Sequence, residues 1–203
     1  MLGKMTRAKI CGITRVEDAL LAEKLGAWAL GFVFAPSKRQ VVPEAVRSIS
    51  LALGPLVVRV GVFQDHGPAE VIDAMRRASL QVAQLHGAEP PDWAEEIRKH
   101  FPVIKAFRLN RPAEPGWASY PADALLVDGS SPGSGKGYPL EWLGPLAGHP
   151  RLIISGGLGP EGLEAVLALK PYAVDVSSGV EASPGIKNEH KLRLFLERVR
   201  KLG

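Results

Sequence analysis

The 203-residue chain has a single cysteine, Cys11, and only two asparagines, Asn110 and Asn188; aromatic residues fill just 6% of its positions. One thiol excludes an intrachain disulfide, and nothing argues for an oxidising compartment. No apolar run approaches the ~20 residues of a membrane-spanning helix. The apolar runs are strand-sized, such as Ala124–Val127 and Leu152–Ile154. The first ten residues carry charge without an apolar core, so no secretory signal and no membrane partner are expected, and the cytoplasm is the expected compartment. Blocks of like charge are also missing: the net charge of +4 is spread thinly and is densest over Lys191–Lys201. Without a clustered basic face or stacking aromatics, nucleic acid is not an expected partner. A mild positive balance suits an anionic small molecule. Two asparagines and four glutamines against seventeen prolines lean toward adaptation to heat.

What is present is enough to build a core. Hydrophobic residues make up 46% and charged residues 23%, ordinary values for one folded domain, here residues 1–203. The chain repeats a rhythm of short apolar run, Gly/Ser/Pro-rich turn and helical pattern. Strands are expected at Lys9–Cys11, Ala29–Phe34, Val57–Phe63, Gln81–Leu85, Val103–Phe107, Ala124–Asp128, Leu152–Ser155 and Ala173–Ser177. Helices are expected at Val16–Leu25, Pro43–Leu53, Pro68–Arg77, Pro91–His100, Pro160–Leu169 and Glu189–Val199, several opened by a proline whose missing N–H does no harm there. Arg111–Ala122 and Gly129–Pro150 are turn-rich, so their helices should be short or irregular.

Eight strands alternating with crossovers imply an α/β fold with a parallel sheet, either doubly wound or closed into a (β/α)8 TIM barrel. The spacing of about 25 residues per unit reaches the lower end of barrel sizes. Polar residues collect where strands end, at Cys11, Ser37-Lys38-Arg39, Gln64-Asp65, Gln84 and His86, Arg108, Asp128, Ser155-Gly156-Gly157 and Ser177-Ser178-Gly179. A barrel brings all eight ends to one face, whereas an open sheet gathers only those near its switch point. The barrel is therefore favoured. Alternation along the strands points Lys9, Asp128 and Asp175 into it, with Arg59 and Lys105 as further inward candidates. Unpaired charges there would be costly, so a buried polar cluster is expected beneath the active face; pairing for structure alone is the other reading of Lys9, Arg59 and Lys105.

Three features could carry chemistry. Cys11 is either a small buried hydrophobe or, at a strand end two residues after Lys9, a thiol whose pKa a cation lowers. Asp128 either caps the next turn or, emerging from an apolar stretch, is an acid held protonated by burial. The turns Ser155-Gly156-Gly157-Leu158 and Ser177-Ser178-Gly179-Val180 are either ordinary turns or a backbone cradle for phosphate, which barrels commonly hold after strands seven and eight. Other signals carry less. Gly157-Leu-Gly159-Pro-Glu-Gly162 matches a dinucleotide fingerprint but leaves only one strand after it. Gly135-Lys136 lacks the Ser/Thr of a P-loop. The five histidines show no metal-ligand spacing, so no metal is implied.

Taken in order, Lys9-Ile-Cys11-Gly12-Ile-Thr14, Gly31-Phe-Val-Phe34 with Ser37-Lys-Arg39, Val60-Gly-Val-Phe63, Gln84-Leu-His86-Gly87, Leu126-Val-Asp128, Gly133-Ser-Gly135-Lys136, Ile154-Ser-Gly-Gly157-Leu and Val174-Asp-Val-Ser-Ser-Gly-Val-Glu181 form a pattern. It resembles the phosphoribosylanthranilate isomerase family of tryptophan biosynthesis. The resemblance implies a (β/α)8 barrel that converts an aminoaldose phosphate to an aminoketose phosphate, with Cys11 as general base and Asp128 as general acid. It implies Arg39 at the anthranilate carboxylate, Gln84, His86 and Asp175 beside the substrate, and phosphate on the backbone of Gly156, Gly157, Ser178 and Gly179. Two proton transfers need no cofactor. The implied partner is a small phosphosugar, bound by a monomer or a homodimer. Pro132-Gly133, Tyr138-Pro-Leu-Glu141-Trp142 and Asn188 depart from the family pattern and bear on loop closure and KM rather than on the reaction. Two other phosphosugar barrels compete, a ribulose-phosphate epimerase and an indole-glycerol-phosphate synthase. The first would want metal-binding histidines and the second a lysine acid. A purely regulatory phosphate-binding barrel would want neither Cys11 nor Asp128.

Overall fold

Short runs of Val, Ile, Leu and Ala bounded by turns become strands because both faces can be buried. The computed structural model describes residues 5–129 and 137–203. The motif Gly133–Lys136 and the Pro132-Gly133 departure lie outside the described residues. Eight parallel strands form a closed barrel in sequence order: β1 (Arg7–Cys11), β2 (Ala29–Val33), β3 (Val58–Phe63), β4 (Val82–Leu85), β5 (Val103–Leu109), β6 (Ala124–Gly129), β7 (Leu152–Ile154) and β8 (Ala173–Val176). The ring closes where β8 pairs with β1 in the register Lys9 with Asp175 and Ile10 with Val176. The doubly wound alternative is thereby excluded.

Among the described residues, six α-helices cover the barrel: α1 (Val16–Lys24), α2 (Pro43–Ala52), α3 (Pro68–Arg77), α4 (Pro91–Arg98), α5 (Leu163–Leu167) and α6 (Glu189–Leu202). Proline opens α2, α3 and α4, as expected. Among the described residues, the fifth and sixth crossovers carry 3-10 turns, at Pro115–Ser119 and Leu140–Leu146, and Pro145 inside the second denies that turn an α-helical ladder. The helix expected over Pro160–Leu169 begins only at Leu163, because Gly162 sits at φ 75°, outside helical space. A small antiparallel hairpin after β8, β9 (Glu181–Ser183) with β10 (Ile186–Lys187), was not expected. No helix among the described residues is long and apolar enough to cross a membrane.

Period-two alternation splits the core into two shells. Outward residues such as Leu30, Phe32, Leu125, Val127 and Val174 pack under the helices. Inward Val60, Ile104, Ala106, Leu126, Ile153 and Ala173 fill the barrel's interior. Lys9, Asp128 and Asp175 follow the expected parity and lie above that apolar plug, buried. Arg59 and Lys105 do not. Their neighbours Val58, Val60, Ile104 and Ala106 take the inward positions, so both cations face the helix layer. There Arg59 donates to the Ser50 carbonyl of α2 at 3.1 Å, and Lys105 pairs with Glu89 at 2.5 Å. Both act as structural ties.

Candidate active site

Above the inward apolar layer the residues are mostly polar, Val33 and Val62 excepted, and they rim a cavity of about 300 Å³ at the carboxyl ends of the strands. Cys11 comes from β1, Gln84 from β4, Asp128 from β6 and Asp175 from β8, with His86, Ser155 and Ser177 just beyond strand ends. Arg39 reaches in from the loop after β2. Of the residues singled out from the sequence, Cys11, Arg39, Gln84, His86, Asp128, Gly156, Gly157, Asp175 and Ser178 all line this one cavity. Gly179 is next to this lining rather than in it, and a Cβ there would stand 1.9 Å from the Leu158 carbonyl. Only glycine lets the loops after β7 and β8 touch. Gly156, at φ 90°, is equally constrained, since its Cβ would meet the Gly129 nitrogen at 2.4 Å. Stripped of side chains, these loops can aim backbone N–H groups at an anion.

An ion pair lies beneath the cavity. Lys9 Nζ is 2.8 Å from Asp175 Oδ1, and the Ser155 hydroxyl donates to Asp175 Oδ2 at 3.3 Å. Burial opposes the Lys9 ammonium, but Asp175 and then Cys11 outweigh it and raise the pKa to about 12. Burial pushes the Cys11 thiol up, while Lys9 opposes that shift. Asp128 is pushed up to about 6, first by burial and then by the like charge of Asp175, although its Oδ1 accepts a 2.8 Å bond from the Gly129 N–H. Burial, followed by the positive field of Lys9, lowers His86 to about 4. The imidazole is therefore neutral near pH 7. The Gln84 side-chain amide lies 3.1 Å from the ring's Nδ1, and the ring's Nε2 stands 3.5 Å from Asp128 Oδ2. Gln84 Oε1, His86 Nε2 and Ser177 Oγ are buried with no hydrogen-bond partner among the described residues, which suits groups made to meet a polar ligand.

Two residues at the rim escaped the sequence reading as individuals. Glu181 on β9 grips the Arg39 guanidinium, and Lys187 on β10 binds both Glu181 and the Cys11 carbonyl. The one available signal for Glu181 was its place at the end of the Ser-Ser-Gly-Val-Glu motif; Lys187 had none. Arg108 also lines the cavity. Among the described residues, no group of three or more His, Cys, Asp or Glu side chains is arranged to hold a metal ion.

A closed parallel barrel that gathers a thiol, a hard-to-ionise carboxylic acid and bare glycine loops at its carboxyl-end mouth has the architecture of a (β/α)8-barrel enzyme. Comparison with known proteins narrows that class. The family model for N-(5′-phosphoribosyl)anthranilate isomerase matches residues 8–198, and the chain belongs to that family and is an isomerase. A relative from Thermotoga maritima, N-(5′-phosphoribosyl)anthranilate isomerase, is 41% identical over 205 residues, 98% of this chain and 100% of the relative. The crystal structure of the Thermus thermophilus phosphoribosyl anthranilate isomerase is similar at 60% identity and TM-score 0.94, covering 98% of this chain and 100% of that one. A further isomerase structure, solved with reduced 1-(o-carboxyphenylamino)-1-deoxyribulose 5-phosphate, is 37% identical with TM-score 0.88 over 98% of this chain and 100% of that one. The Thermotoga and Thermus sources fit the heat-adapted lean of the composition.

Proposed function

We propose that the chain converts N-(5′-phosphoribosyl)anthranilate to 1-(2-carboxyphenylamino)-1-deoxyribulose 5-phosphate, an Amadori rearrangement of tryptophan biosynthesis carried out in the cytoplasm. Asp128 is the general acid and Cys11 the general base. The observation that carries this reading is the pairing of a carboxyl raised to about 6 with a thiol in one cavity, in a chain of this family. Asp128 gives its proton to the furanose ring oxygen as the C1′–O bond breaks and the amine lone pair forms a C1′=N iminium. Cys11, as thiolate, removes the C2′ proton, and the electron pair flows into the iminium to give an enolamine. Moving the hydroxyl proton to C1′ then yields the ketone. Each step is a proton transfer, so no cofactor is needed. Lys9 favours the thiolate by its nearby charge.

The remaining groups bind. Arg39 takes the anthranilate carboxylate, because a planar guanidinium matches a planar anion. Gln84, neutral His86 and Asp175 meet the ribose hydroxyls. The N–H groups of Gly156, Gly157, Ser178 and Gly179 hold the phosphate. The test is turnover of phosphoribosylanthranilate generated in situ, with the loss of anthranilate fluorescence followed in metal-free buffer containing EDTA. Wild-type turnover should survive EDTA, and Cys11→Ser and Asp128→Asn should each lower kcat by about 10²-fold or more with the fold intact. Near-normal turnover in either variant would remove that residue from the mechanism.

A further inference from the structure

Behind Arg39 lies a buried charge cluster that the two proton transfers do not use. The stem of Arg39 runs over Gly12, where a Cβ would come 2.4 Å from its Cδ, so a side chain at residue 12 would force Arg39 to shift. Glu181 grips its inner edge at both ends, with Nε donating to Oε1 at 2.8 Å and NH2 to Oε2 at 2.6 Å. Glu181 is itself tied down. Its Oε1 accepts from Lys187 Nζ at 3.0 Å and from the Gly185 N–H at 3.3 Å. Lys187 is buried and donates to the Cys11 carbonyl at 2.6 Å. Its own backbone N–H is held by Asp18 of α1 at 3.0 Å, and the Thr14 hydroxyl donates to the Gly185 carbonyl at 2.6 Å.

Of this cluster only Arg39 lines the cavity; Glu181 and Lys187 stand behind it. A fork-on-fork pair fixes the plane of a guanidinium as well as its position, which a single contact does not. With Nε and Nη2 engaged by Glu181, the outer edge of Arg39, Nη1 and the second hydrogen of Nη2, is left for a ligand in the cavity that Arg39 lines. Without Glu181, a long side chain on a loop would regain its rotamers and face Lys187 with no carboxylate between them.

We propose that Glu181 is a positioning residue: it sets the plane of Arg39 so that the outer edge meets the substrate's aryl carboxylate beside Cys11. This rests on the reading that Arg39 binds that carboxylate. It makes the hairpin β9–β10 a selector for anions of planar, aryl-carboxylate geometry.

The experiment combines steady-state kinetics on phosphoribosylanthranilate with calorimetric binding of ribulose 5-phosphate, which has the sugar and phosphate but no carboxylate. Glu181→Gln should raise KM about tenfold or more while kcat moves less than about threefold. Its affinity for ribulose 5-phosphate should stay within about twofold of wild type, and Glu181→Asp should recover part of the KM. In an Arg39→Ala background, Glu181→Gln should add less than about twofold, since the two residues act as one unit. Arg39→Lys keeps the charge and the ion pair but loses the fork, so its KM should approach that of Arg39→Ala. This last variant tests orientation even if Glu181→Gln does not fold. Arg39→Lys with wild-type KM would overturn the proposal, as would Glu181→Gln losing kcat and ribulose 5-phosphate affinity together. Arg39→Ala raising KM while Glu181→Gln leaves it unchanged would overturn the positioning role alone. An unchanged KM in Arg39→Ala would overturn the carboxylate reading and, with it, this inference.

Discussion

Burial moves Asp128 toward the acid form its role needs and Cys11 away from the thiolate its role needs. Near neutral pH the prevailing forms are the reverse of the active pair, which has a measurable signature. The active form needs the carboxyl protonated and the thiol ionised. Asp128 is raised to about 6 and burial pushes Cys11 above the ordinary thiol range, so the main singly protonated form carries its proton on sulfur. The active tautomer is the minor one, and its share of that form does not change with pH. The expected kcat/KM profile is therefore flat from near 6 up to the thiol's ionisation and falls on both sides. The substrate phosphate also titrates near 6, so the variant carries the assignment. In Asp128→Asn the residual kcat/KM should climb with pH through the thiol's ionisation. Stability follows from the same shift. A carboxyl whose folded pKa lies above its unfolded value loses its contribution as pH rises from about 4 through about 6. Asp128→Asn should therefore be more stable than wild type at pH 8 by up to about 3 kcal/mol, at ~1.36 kcal/mol per unit, with no gain below about pH 4. Denaturant melts at the two pH values check this.

At the scale of elements, the seam between β1 and β8 closes the barrel and carries its inner ion pair. Lys9 and Asp175 face each other in register, 2.8 Å apart and almost fully buried. Lys9→Met would leave Asp175 without its counter-charge, a loss of about 3–5 kcal/mol. Lys9→Met with Asp175→Leu should regain much of that stability and none of the activity; urea midpoints and turnover together test both halves. The proline-opened helices were legible because a residue without an N–H marks a first turn locally. The hairpin β9–β10 was not, since strands of three and two residues have no period to detect. Arg59 and Lys105 show a related gap. A buried strand is apolar on both faces, so its sequence does not say which parity looks inward, and the packing of Val58, Val60, Ile104 and Ala106 settles it.

Across the whole molecule, closure is what turns eight modest strand ends into one site. Each strand is paired on both sides, and β8 supplies the last pairing. A chain ending at Lys170 would lose β8, the hairpin and α6, and would leave β1 and β7 with open edges. Open apolar edges invite association. Such a fragment should show no cooperative unfolding transition and should elute as aggregates, as near-ultraviolet circular dichroism and size-exclusion chromatography would reveal; a monomeric, cooperatively folded fragment would contradict the role assigned to the seam.

By itself the sequence determined the α/β class and which polar residues stand at the strand ends, because both rest on local information: alternation, turn residues and what stands where each strand stops. Cys11, Asp128 and the glycine loops were visible for that reason. Only the tertiary structure decided how these groups are charged and held. Lys9 meets Asp175 across 166 residues of chain, Arg39 meets Glu181 across 142 and Lys187 meets the Cys11 carbonyl across 176. Desolvation and Coulombic coupling depend on distance in space, and no spacing along the chain encodes those distances.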